Sequence, residues 1–436
     1  MPVSLRDGKS QDLYRRAVRY LPGGVNSPVR AMSAIGRDPL FVERAQGAEL
    51  IDVDGNNYVD WVCSWGPLIH GHAHPEILAA IQATAANGTT FGAPTALEVD
   101  LAAEVVSRMP AVEMIRMTSS GTEAAMSAIR LARAVTGRDT ILKFAGAYHG
   151  HSDGLLADAG SGLVTQGIPA SPGVPAGAAA ATVVVPWNDP EALHAAVAAN
   201  ELAAIVVEPY PGNMGVVPPA DGFLERLREE ATDAGALLIF DEVITGFRVA
   251  RGGAQDLTGV LPDLTVMGKI IGGGLPAAAF GGSVALMEHI APAGDVYQGG
   301  TLSGNPLACA AGLRALQLLD ETAYPRIAST TALLAEGLRA AADEAGEGIP
   351  VQIQSVPGLV TVFFSDEPVR DFAGAKRCDT AAYGRWCRAL LARGVYPPPS
   401  QFEAWFPSLA HTPEQIALTT EAAAAAFAGL AHDAAS

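Results

Sequence analysis

The sequence predicts an α/β protein whose mostly parallel central sheet is covered by helices on both faces. The chain has 436 residues, enough for a large core, and helix-like and strand-like segments alternate between about 95 and 320. The strand-like segments are continuous apolar runs, which is typical of strands buried on both faces. Strand-like runs at 351–364 and 394–400, with helices between and after them, predict a smaller C-terminal domain.

Local patterns place the individual elements. Residues 11–21 predict a short helix, residues 51–62 a hairpin, and residues 74–88 a helix that starts at a proline and ends at a glycine. Residues 151–179 are dense in Gly, Ser and Pro, which predicts a long loop, and such loops are often lids. The strands of the central sheet are expected in the apolar runs 113–119, 140–146, 203–209, 236–243 and 264–269.

Composition narrows the class of function. The net charge of −18 argues against a nucleic-acid partner, because a polyanion requires a basic surface. The polar N-terminus does not resemble a signal peptide, and no apolar stretch is long enough to predict a membrane span. Four scattered cysteines without metal-ligand spacing predict free thiols, no metal site and a cytoplasmic location.

Lysine is rare in this chain, and one lysine has an unusual setting. The chain contains 24 Arg but only four Lys, and Lys269 is the single charge in the apolar stretch LTVMGKIIGGGLP. Where any cation would serve, this chain uses Arg, so Lys269 is a candidate for chemistry that only a primary amine performs, such as Schiff-base formation. The alternative is a surface lysine with a buried stem, or an ion-pair partner.

A turn of small residues opens one predicted helix. Ser119, Ser120, Gly121 and Thr122 precede a segment with apolar positions at 125, 128, 129, 132 and 135. Backbone N–H groups and the helix dipole at such an N-terminus suit a phosphate. The alternative is an ordinary Ser/Thr N-cap with Glu123 in the first turn.

Two other segments could hold an aromatic ring. Asp241 follows an apolar run at the carboxyl end of a predicted central strand, where ligands of such sheets bind, and Val243 is expected on the same face. Tyr148 follows another strand and could stack on the opposite side of a ring. Asp241 could instead cap a helix, and Tyr148 could be a core aromatic. Together with Lys269 and the phosphate turn, these residues make up the parts of a pyridoxal-phosphate site; a Schiff-base aldolase would not explain the phosphate turn and Asp241 together.

Motifs spread nearly from end to end of the chain resemble those of a known family: PGGVNSPVRA, SWGPLIHGHAHP, SSGTEAAMSAIRLAR, YHGHSDG, EPYPGNMGVVPP, DEVITGFRVARGGAQ, GKIIGGGLP, GGTLSGNPLA and PSQFEAWFPSLAHT. With these motifs the sequence resembles the glutamate-1-semialdehyde 2,1-aminomutases, a family of class III aminotransferases. The resemblance implies a fold-type I pyridoxal-phosphate-dependent transferase. Residues 69–318 would form the large cofactor-binding domain, and residues 1–68 and 319–436, from both chain ends, would form the small α+β domain.

Carried over by position, the resemblance implies the contacts of pyridoxal 5'-phosphate. Lys269 would be the catalytic residue and carry the cofactor as a Schiff base, Asp241 would pair with the ring nitrogen, and Val243 and Tyr148 would lie on the two ring faces. Thr301 would reach the phosphate bound by the neighbouring subunit, so a homodimer with shared active sites is expected. The implied cofactor-binding residues are Ser120, Gly121, Thr122, Tyr148, Glu208, Asn213, Asp241, Val243, Lys269 and Thr301.

The resemblance also implies a substrate site. Ser27 and Arg30 would bind the substrate carboxylate, Ser161 would lie in a gate formed by residues 151–179, and Glu403 would be near the substrate. The related aminotransferases carry an Arg for the α-carboxylate of amino acids where this chain has Glu403. After Arg393 the sequence contains no further Arg or Lys.

The implied activity is that of an isomerase. It would convert glutamate 1-semialdehyde, (S)-4-amino-5-oxopentanoate, to 5-aminolevulinate for tetrapyrrole (porphyrin) synthesis, through the pyridoxamine and pyridoxal forms of the cofactor and a 4,5-diaminovalerate intermediate. Lys269 would shuttle protons in each half of the reaction. Transfer of the substrate from the upstream reductase is a further expectation. The alternatives are an ω-aminotransferase of the same fold and a non-catalytic regulator, for which no basic helix-turn-helix segment is found.

Overall fold

The computed structural model describes residues 6–157, 171–345 and 350–435, with side chains described as far as residue 432. Its strands are β1 Val42–Gln46, β2 Glu49–Asp52, β3 Asn57–Asp60, β4 Met114–Thr118, β5 Thr140–Phe144, β6 Thr182–Val185, β7 Leu202–Val207, β8 Leu237–Asp241, β9 Leu264–Met267, β10 Ala278–Gly282, β11 Gln352–Val356, β12 Leu359–Phe363 and β13 Val395–Tyr396. The α-helices are Gly8–Ala17, Pro75–Ala85, Ala96–Val106, Gly121–Thr136, Ala176–Ala180, Pro190–Ala199, Phe223–Ala234, Gly253–Thr258, Val284–Met287, Pro306–Gln317, Ala323–Glu344, Phe372–Arg377, Thr380–Leu391 and Pro413–Ala435.

The central sheet has seven strands in the order β4-β10-β9-β8-β7-β5-β6. Strands β6, β5, β7, β8 and β9 pair in parallel, whereas β10 runs antiparallel to both β9 and β4. Every residue of β7 is buried, as expected of a strand covered on both faces. The α/β class with a mostly parallel sheet is confirmed, and the five strands expected from apolar runs are present.

Alternation along the strands divides the core between the two faces of the sheet. Phe144, Val207 and Phe240 belong to a cluster that includes residues of helices Pro190–Ala199 and Phe223–Ala234. Residues one position earlier on the strands, such as Val206 and Ile239, pack with helix Gly121–Thr136 on the other face. Because strand side chains point alternately to opposite faces, one apolar run supplies both layers.

Two smaller sheets accompany the central one. A four-stranded sheet has the order β1-β2-β3-β13, and β11 and β12 form an antiparallel pair. The hairpin expected within residues 51–62 is present as β2 and β3, which pair antiparallel. Strand β13 comes from the C-terminal part of the chain and pairs in parallel with β3. Elements from both chain ends therefore share one sheet.

Several local expectations differ from the structure. The first helix spans Gly8–Ala17 rather than residues 11–21, and the strand expected at 394–400 is limited to Val395–Tyr396. Residues 151–179 were expected to form a loop, but Ala176–Ala180 is helical and residues 158–170 lie outside the described part of the chain. Strand β10 was missed because AAFGG lacks the β-branched residues that favour strands.

Helices long and apolar enough to cross a membrane are absent from the described residues. The four cysteines are buried and free.

Candidate active site

The candidate site lies where the carboxyl ends of several strands of the central sheet meet. Asp241 is the last residue of β8, Lys269 follows β9 by two residues, and Glu208 directly follows β7. Tyr148 comes after β5, and the turn at 119–122 comes after β4. Strands that run in one direction place their carboxyl ends at one edge, which is where ligands of open α/β sheets bind.

These residues line one cavity of about 360 Å³, a volume within the range of small-molecule sites. Of the predicted site residues, the cavity brings together Ser120, Gly121, Thr122, Tyr148, Glu208, Asn213, Asp241, Val243 and Lys269. The other lining residues are Pro67, Ser119, His149, Gly150, Ile244, Gly274, Leu275, Pro276 and Ala277.

Lys269 begins a short 3-10 helix, Lys269–Gly272, with a left-handed φ of 49°. Positive φ is uncommon for a residue with a side chain and marks local strain, which is often found at functional sites. Burial lowers the pKa of Lys269, while the carboxylates of Asp241, Glu208 and Glu403 act in the opposite direction. The net shift is downward, which favours the neutral, nucleophilic amine.

Asp241 is held by two hydrogen bonds. Its Oδ2 lies 2.8 Å from Nδ1 of the fully buried His149, and its Oδ1 accepts from the Val243 backbone N–H at 3.1 Å. The other ring nitrogen of His149, Nε2, is buried and has no partner among the described residues. The carboxylate is therefore fixed in orientation at the end of β8 while it remains part of the cavity wall.

Glu208 connects two segments of the cavity wall. Its buried carboxylate accepts hydrogen bonds from the Tyr148 backbone N–H at 2.8 Å, the Gly212 backbone N–H at 3.1 Å and Asn213 Nδ2 at 2.9 Å. Burial raises the pKa of Glu208, opposed by His149 and the backbone donors. Because Tyr148 receives its position partly from this carboxylate, Glu208 fixes the loop after β5 against the loop after β7.

Helix Gly121–Thr136 opens at the cavity. Ser120 and Glu123 form a capping box, in which Ser120 Oγ accepts from the Glu123 N–H at 3.2 Å. Helix geometry leaves the N–H groups of Gly121 and Thr122 without intrahelical acceptors, and both residues line the cavity. This turn can therefore cap the helix and leave backbone N–H groups for a phosphate at the same time.

Gly150 allows the loop after β5 to approach this helix end. It has a φ of 91°, and a Cβ built on it would lie 2.6 Å from the Cα of Thr122. Any side chain at position 150 would push the loop that carries Tyr148 away from the helix N-terminus. The glycine thus brings the aromatic residue and the helix end into one site.

Five predicted site residues do not line the cavity or lie outside the described residues. Ser27, the exposed Arg30 and the exposed Thr301 do not line the cavity within one chain. Ser161 lies outside the described residues. Glu403 is buried without being part of the cavity lining, and its charge acts on both Lys269 and Tyr148.

Lys143 is a fully buried lysine, and its position differs from that of Lys269. Its Nζ donates to the backbone carbonyls of Leu155 at 3.2 Å and Ala157 at 2.9 Å. It lies within β5 and is not part of the cavity lining. The amine of the cavity is therefore Lys269, as expected from its sequence setting.

Two residues of the site were not assigned a role from the sequence. His149 bonds to Asp241, and its position next to Tyr148 was the only available signal. Arg248 is fully buried, does not line the cavity and acts electrostatically on Lys269. It lies in the motif DEVITGFRVARGGAQ, but its role depends on long-range contacts that the sequence does not show.

Comparisons with known proteins show the family of this chain. Residues 32–426 match the family model described as aminotransferase class-III. A glutamate-1-semialdehyde 2,1-aminomutase of Thermomicrobium roseum is 54% identical, over 97% of this chain and 99% of that protein. A protein of the same name from Citrifermentans bemidjiense is 52% identical, over 98% of this chain and all of that protein.

Solved structures confirm the fold. An ω-transaminase from Sphaerobacter thermophilus is 34% identical with a TM-score of 0.88, and the match covers 98% of each chain. A glutamate-1-semialdehyde aminomutase from Pseudomonas aeruginosa is 30% identical with a TM-score of 0.85, over 97% of this chain and 95% of that one. This chain therefore belongs to the class-III aminotransferase family, among the glutamate-1-semialdehyde 2,1-aminomutases.

Proposed function

We propose that this protein is a pyridoxal-phosphate-dependent isomerase that converts glutamate 1-semialdehyde to 5-aminolevulinate, a step of tetrapyrrole synthesis. The proposal rests on one observation above all: a lysine amine, an oriented carboxylate and a helix N-terminus line a single cavity at the carboxyl edge of the sheet. The identity of more than 50% to proteins named for this activity supports the choice of substrate.

The residues present fit the cofactor. The Gly121 and Thr122 N–H groups suit its phosphate, and Asp241 suits a protonated ring nitrogen. Val243 and Tyr148 contribute an apolar and an aromatic wall to the same cavity. A variant of the P. aeruginosa aminomutase was solved in complex with PMP, the amine form of this cofactor. When bound, the cofactor supplies an electron sink and carries the amino group.

The protein's own residues would provide proton transfer and orientation. Lys269 Nζ, whose pKa is lowered by burial, can take up and return a proton. Asp241, oriented by His149, would keep a proton on the ring nitrogen. Glu208 positions Tyr148 and Asn213 through its hydrogen bonds and so shapes the wall that faces the bound ring.

Glu403 favours the aminomutase over an ordinary aminotransferase. Its buried carboxylate is close enough to raise the pKa of Tyr148, after the larger effect of burial. A negative charge there repels a carboxylate next to the reacting amino group. Glutamate 1-semialdehyde has no carboxylate at that place, since its acid group lies at the other end of the molecule. We propose that Arg30 and Ser27 bind the distal carboxylate of this substrate.

A homodimer with shared active sites is part of the proposal. Thr301 is exposed and lies near exposed Tyr297 and Leu302 in sequence, which suits a surface that meets a second copy. A complementation experiment would test this. The variants Lys269→Ala and Thr301→Glu are each purified as homodimers, and mixed dimers with one subunit of each variant are then prepared. If Thr301 serves the neighbouring site, mixed dimers regain activity because one of their two sites is native. No recovery in mixed dimers would refute the shared site.

The decisive test of function is the reaction itself. The purified protein should show the absorbance of the bound cofactor and form 5-aminolevulinate from glutamate 1-semialdehyde without an added amino donor. Rapid transamination between common α-amino and α-keto acids would instead favour an ω-aminotransferase.

The buried, free cysteines are in keeping with a cytoplasmic location, which we propose together with this function. Transfer of the substrate from an upstream reductase stays a prediction.

A further inference from the structure

Arg248 is a fully buried arginine held by backbone atoms. Its Nη1 donates to the carbonyls of Pro407 at 3.1 Å and Gly358 at 3.3 Å, and its Nη2 donates to the carbonyl of Gly66. Its guanidinium also lies over the ring of Phe406, with Cζ 5.1 Å from the ring centre. One side chain thus connects three separate parts of the chain.

The charge of Arg248 has no carboxylate partner among the described residues. The neighbour that acts to raise its pKa is Cys63, whose own pKa burial raises well above the ordinary value, so that it remains a neutral thiol. Burial lowers the pKa of Arg248 to about 10, so the guanidinium is still protonated at neutral pH. A buried cation without a counter-ion is costly.

The segment that Arg248 holds is a strained turn. In Cys63–Gly66 all four residues have a positive φ, from 46° to 108°, and three of them are not glycine. Such backbone persists only where its surroundings fix it. At the start of the turn the Asp60 carboxylate accepts from the N–H groups of Val62 at 2.8 Å and Cys63 at 3.2 Å. At its end Arg248 holds the Gly66 carbonyl.

This turn packs against the stem of Lys269. A Cβ built on Gly66, whose φ is 108°, would lie 3.4 Å from Lys269 Cδ and 2.8 Å from Phe406 Cε1. Gly66 therefore lies between the side chain of Lys269 and the ring of Phe406, over which Arg248 lies. The residues with charges that act on Lys269 are Asp241, Glu208 and Glu403, which favour the ammonium form, and Arg248, which favours the neutral amine.

We propose that Arg248 is a positioning residue for Lys269. It holds the strained turn Cys63–Gly66 against the lysine stem and places a positive charge close enough to act on the amine. Burial is the largest influence on the pKa of Lys269 and lowers it; Arg248 acts in the same direction and so offsets part of the opposite effect of the three carboxylates. The proposal rests on the proposed function, since the state of the Lys269 amine matters only if Lys269 reacts.

The experiment measures the Lys269 amine directly in the full chain freed of bound cofactor. Acetylation of Lys269 is followed against pH by peptide mass spectrometry in the wild type, Arg248→Gln and Arg248→Lys. In Arg248→Gln the pH at which acetylation of Lys269 is half-maximal is expected to rise by about one unit. This is the size of effect that one nearby charge has in a partly buried site. In Arg248→Lys, which keeps the charge, the midpoint is expected to stay near that of the wild type.

Arg108→Gln is the matched control. Arg108 is also buried and donates to two backbone carbonyls, those of Leu316 and Leu319, but it pairs with Glu104 and is not among the charges that act on Lys269. Hydrogen exchange in the peptide containing Cys63–Gly66 should become faster in Arg248→Gln and stay unchanged in Arg108→Gln.

Three outcomes would overturn the proposal: an unchanged Lys269 midpoint in folded Arg248→Gln, an equal shift in Arg108→Gln, or unchanged exchange in the turn. If Arg248→Gln does not fold, Arg248→Lys decides, because a raised midpoint there contradicts the role of the charge. Neither readout requires substrate or turnover. A failure of the proposed function would appear as absent aminomutase activity with the shift still present, so the two failures are distinguishable.

Discussion

His149 Nδ1 lies 2.8 Å from Asp241 Oδ2, and the imidazole that makes this bond is completely buried. The carboxylate belongs to the last residue of β8, whereas the histidine comes from the loop after β5, with β7 between the two strands in the sheet. The bond therefore connects the end of β8 to the loop after β5. It restricts Asp241 to one orientation, which a carboxylate that must meet a single ring nitrogen requires.

Replacing His149 should weaken the cofactor's contact with Asp241 without removing it. For His149→Phe we expect kcat to fall about 10- to 100-fold, since a hydrogen bond to a charged group is worth about 1.5–3 kcal/mol. Steady-state kinetics and cofactor titration on the same preparation would measure this. His194→Gln is a suitable control, because His194 is mostly exposed and also bonds to a carboxylate, that of Glu230. Wild-type kinetics in His149→Phe would contradict the role of the bond.

Lys269→Ala should lower kcat by about 1000-fold or more, because the nucleophile and the proton carrier are the same amine. Cofactor should still bind through the helix N-terminus and Asp241, which equilibrium dialysis would detect. Borohydride reduction of the wild type followed by peptide mapping should label Lys269. The label should not fall on Lys143, whose Nζ is held by two carbonyls. Full activity of Lys269→Ala would refute the assignment.

Glu403 should decide between aminomutase and aminotransferase activity. We expect the wild type to transaminate glutamate or alanine very poorly, and Glu403→Arg to gain measurable activity with an α-amino acid while it loses aminomutase activity. The reason is that an arginine binds an α-carboxylate that the native carboxylate repels. Glu403→Gln removes the repulsion without adding a cation and separates the two effects. The assay compares both reactions for each variant, and unchanged specificity in Glu403→Arg would contradict the prediction.

Two buried histidines should make the folded protein sensitive to mild acid. Burial lowers the pKa values of His70 and His411 to about 4. Between about pH 6.5 and pH 4 the unfolded chain takes up protons at these residues and the folded chain does not, so stability falls as the pH falls through this window. Each histidine lowers the free energy of unfolding by at most about 3 kcal/mol over this window, a value that follows from the difference between its pKa in the unfolded and in the folded chain.

The measurement is the urea midpoint of unfolding from pH 4 to pH 7. In His411→Gln the fall between pH 6.5 and pH 4 should be shallower than in the wild type, although the variant is less stable at pH 7 because it loses the stacking on Trp61 at 3.8 Å. His194→Gln should leave the pH dependence unchanged, since that residue is mostly exposed. An identical pH slope in the wild type and His411→Gln would disprove the prediction.

The sequence by itself determined those features that depend on neighbouring residues along the chain. The capping box at Ser120 and Glu123 and the apolar runs of β7 and β8 are local patterns, and all are present in the structure. The position of Asp241 at a carboxyl strand end, and with it the edge of the sheet where the site lies, followed from the same patterns. The unusual setting of Lys269 among apolar residues and glycines was likewise visible before any fold was known.

Only the tertiary structure decided the contacts between residues distant in sequence. The bond from His149 to Asp241 joins positions 92 residues apart, and Arg248 reaches a carbonyl 182 residues away at Gly66. The antiparallel insertion of β10 between β4 and β9 also depended on the whole sheet, because its alanines and glycines carry no strand signal of their own. Local propensity cannot specify such pairings, since hydrogen bonds and burial between remote segments form only when the entire chain has packed.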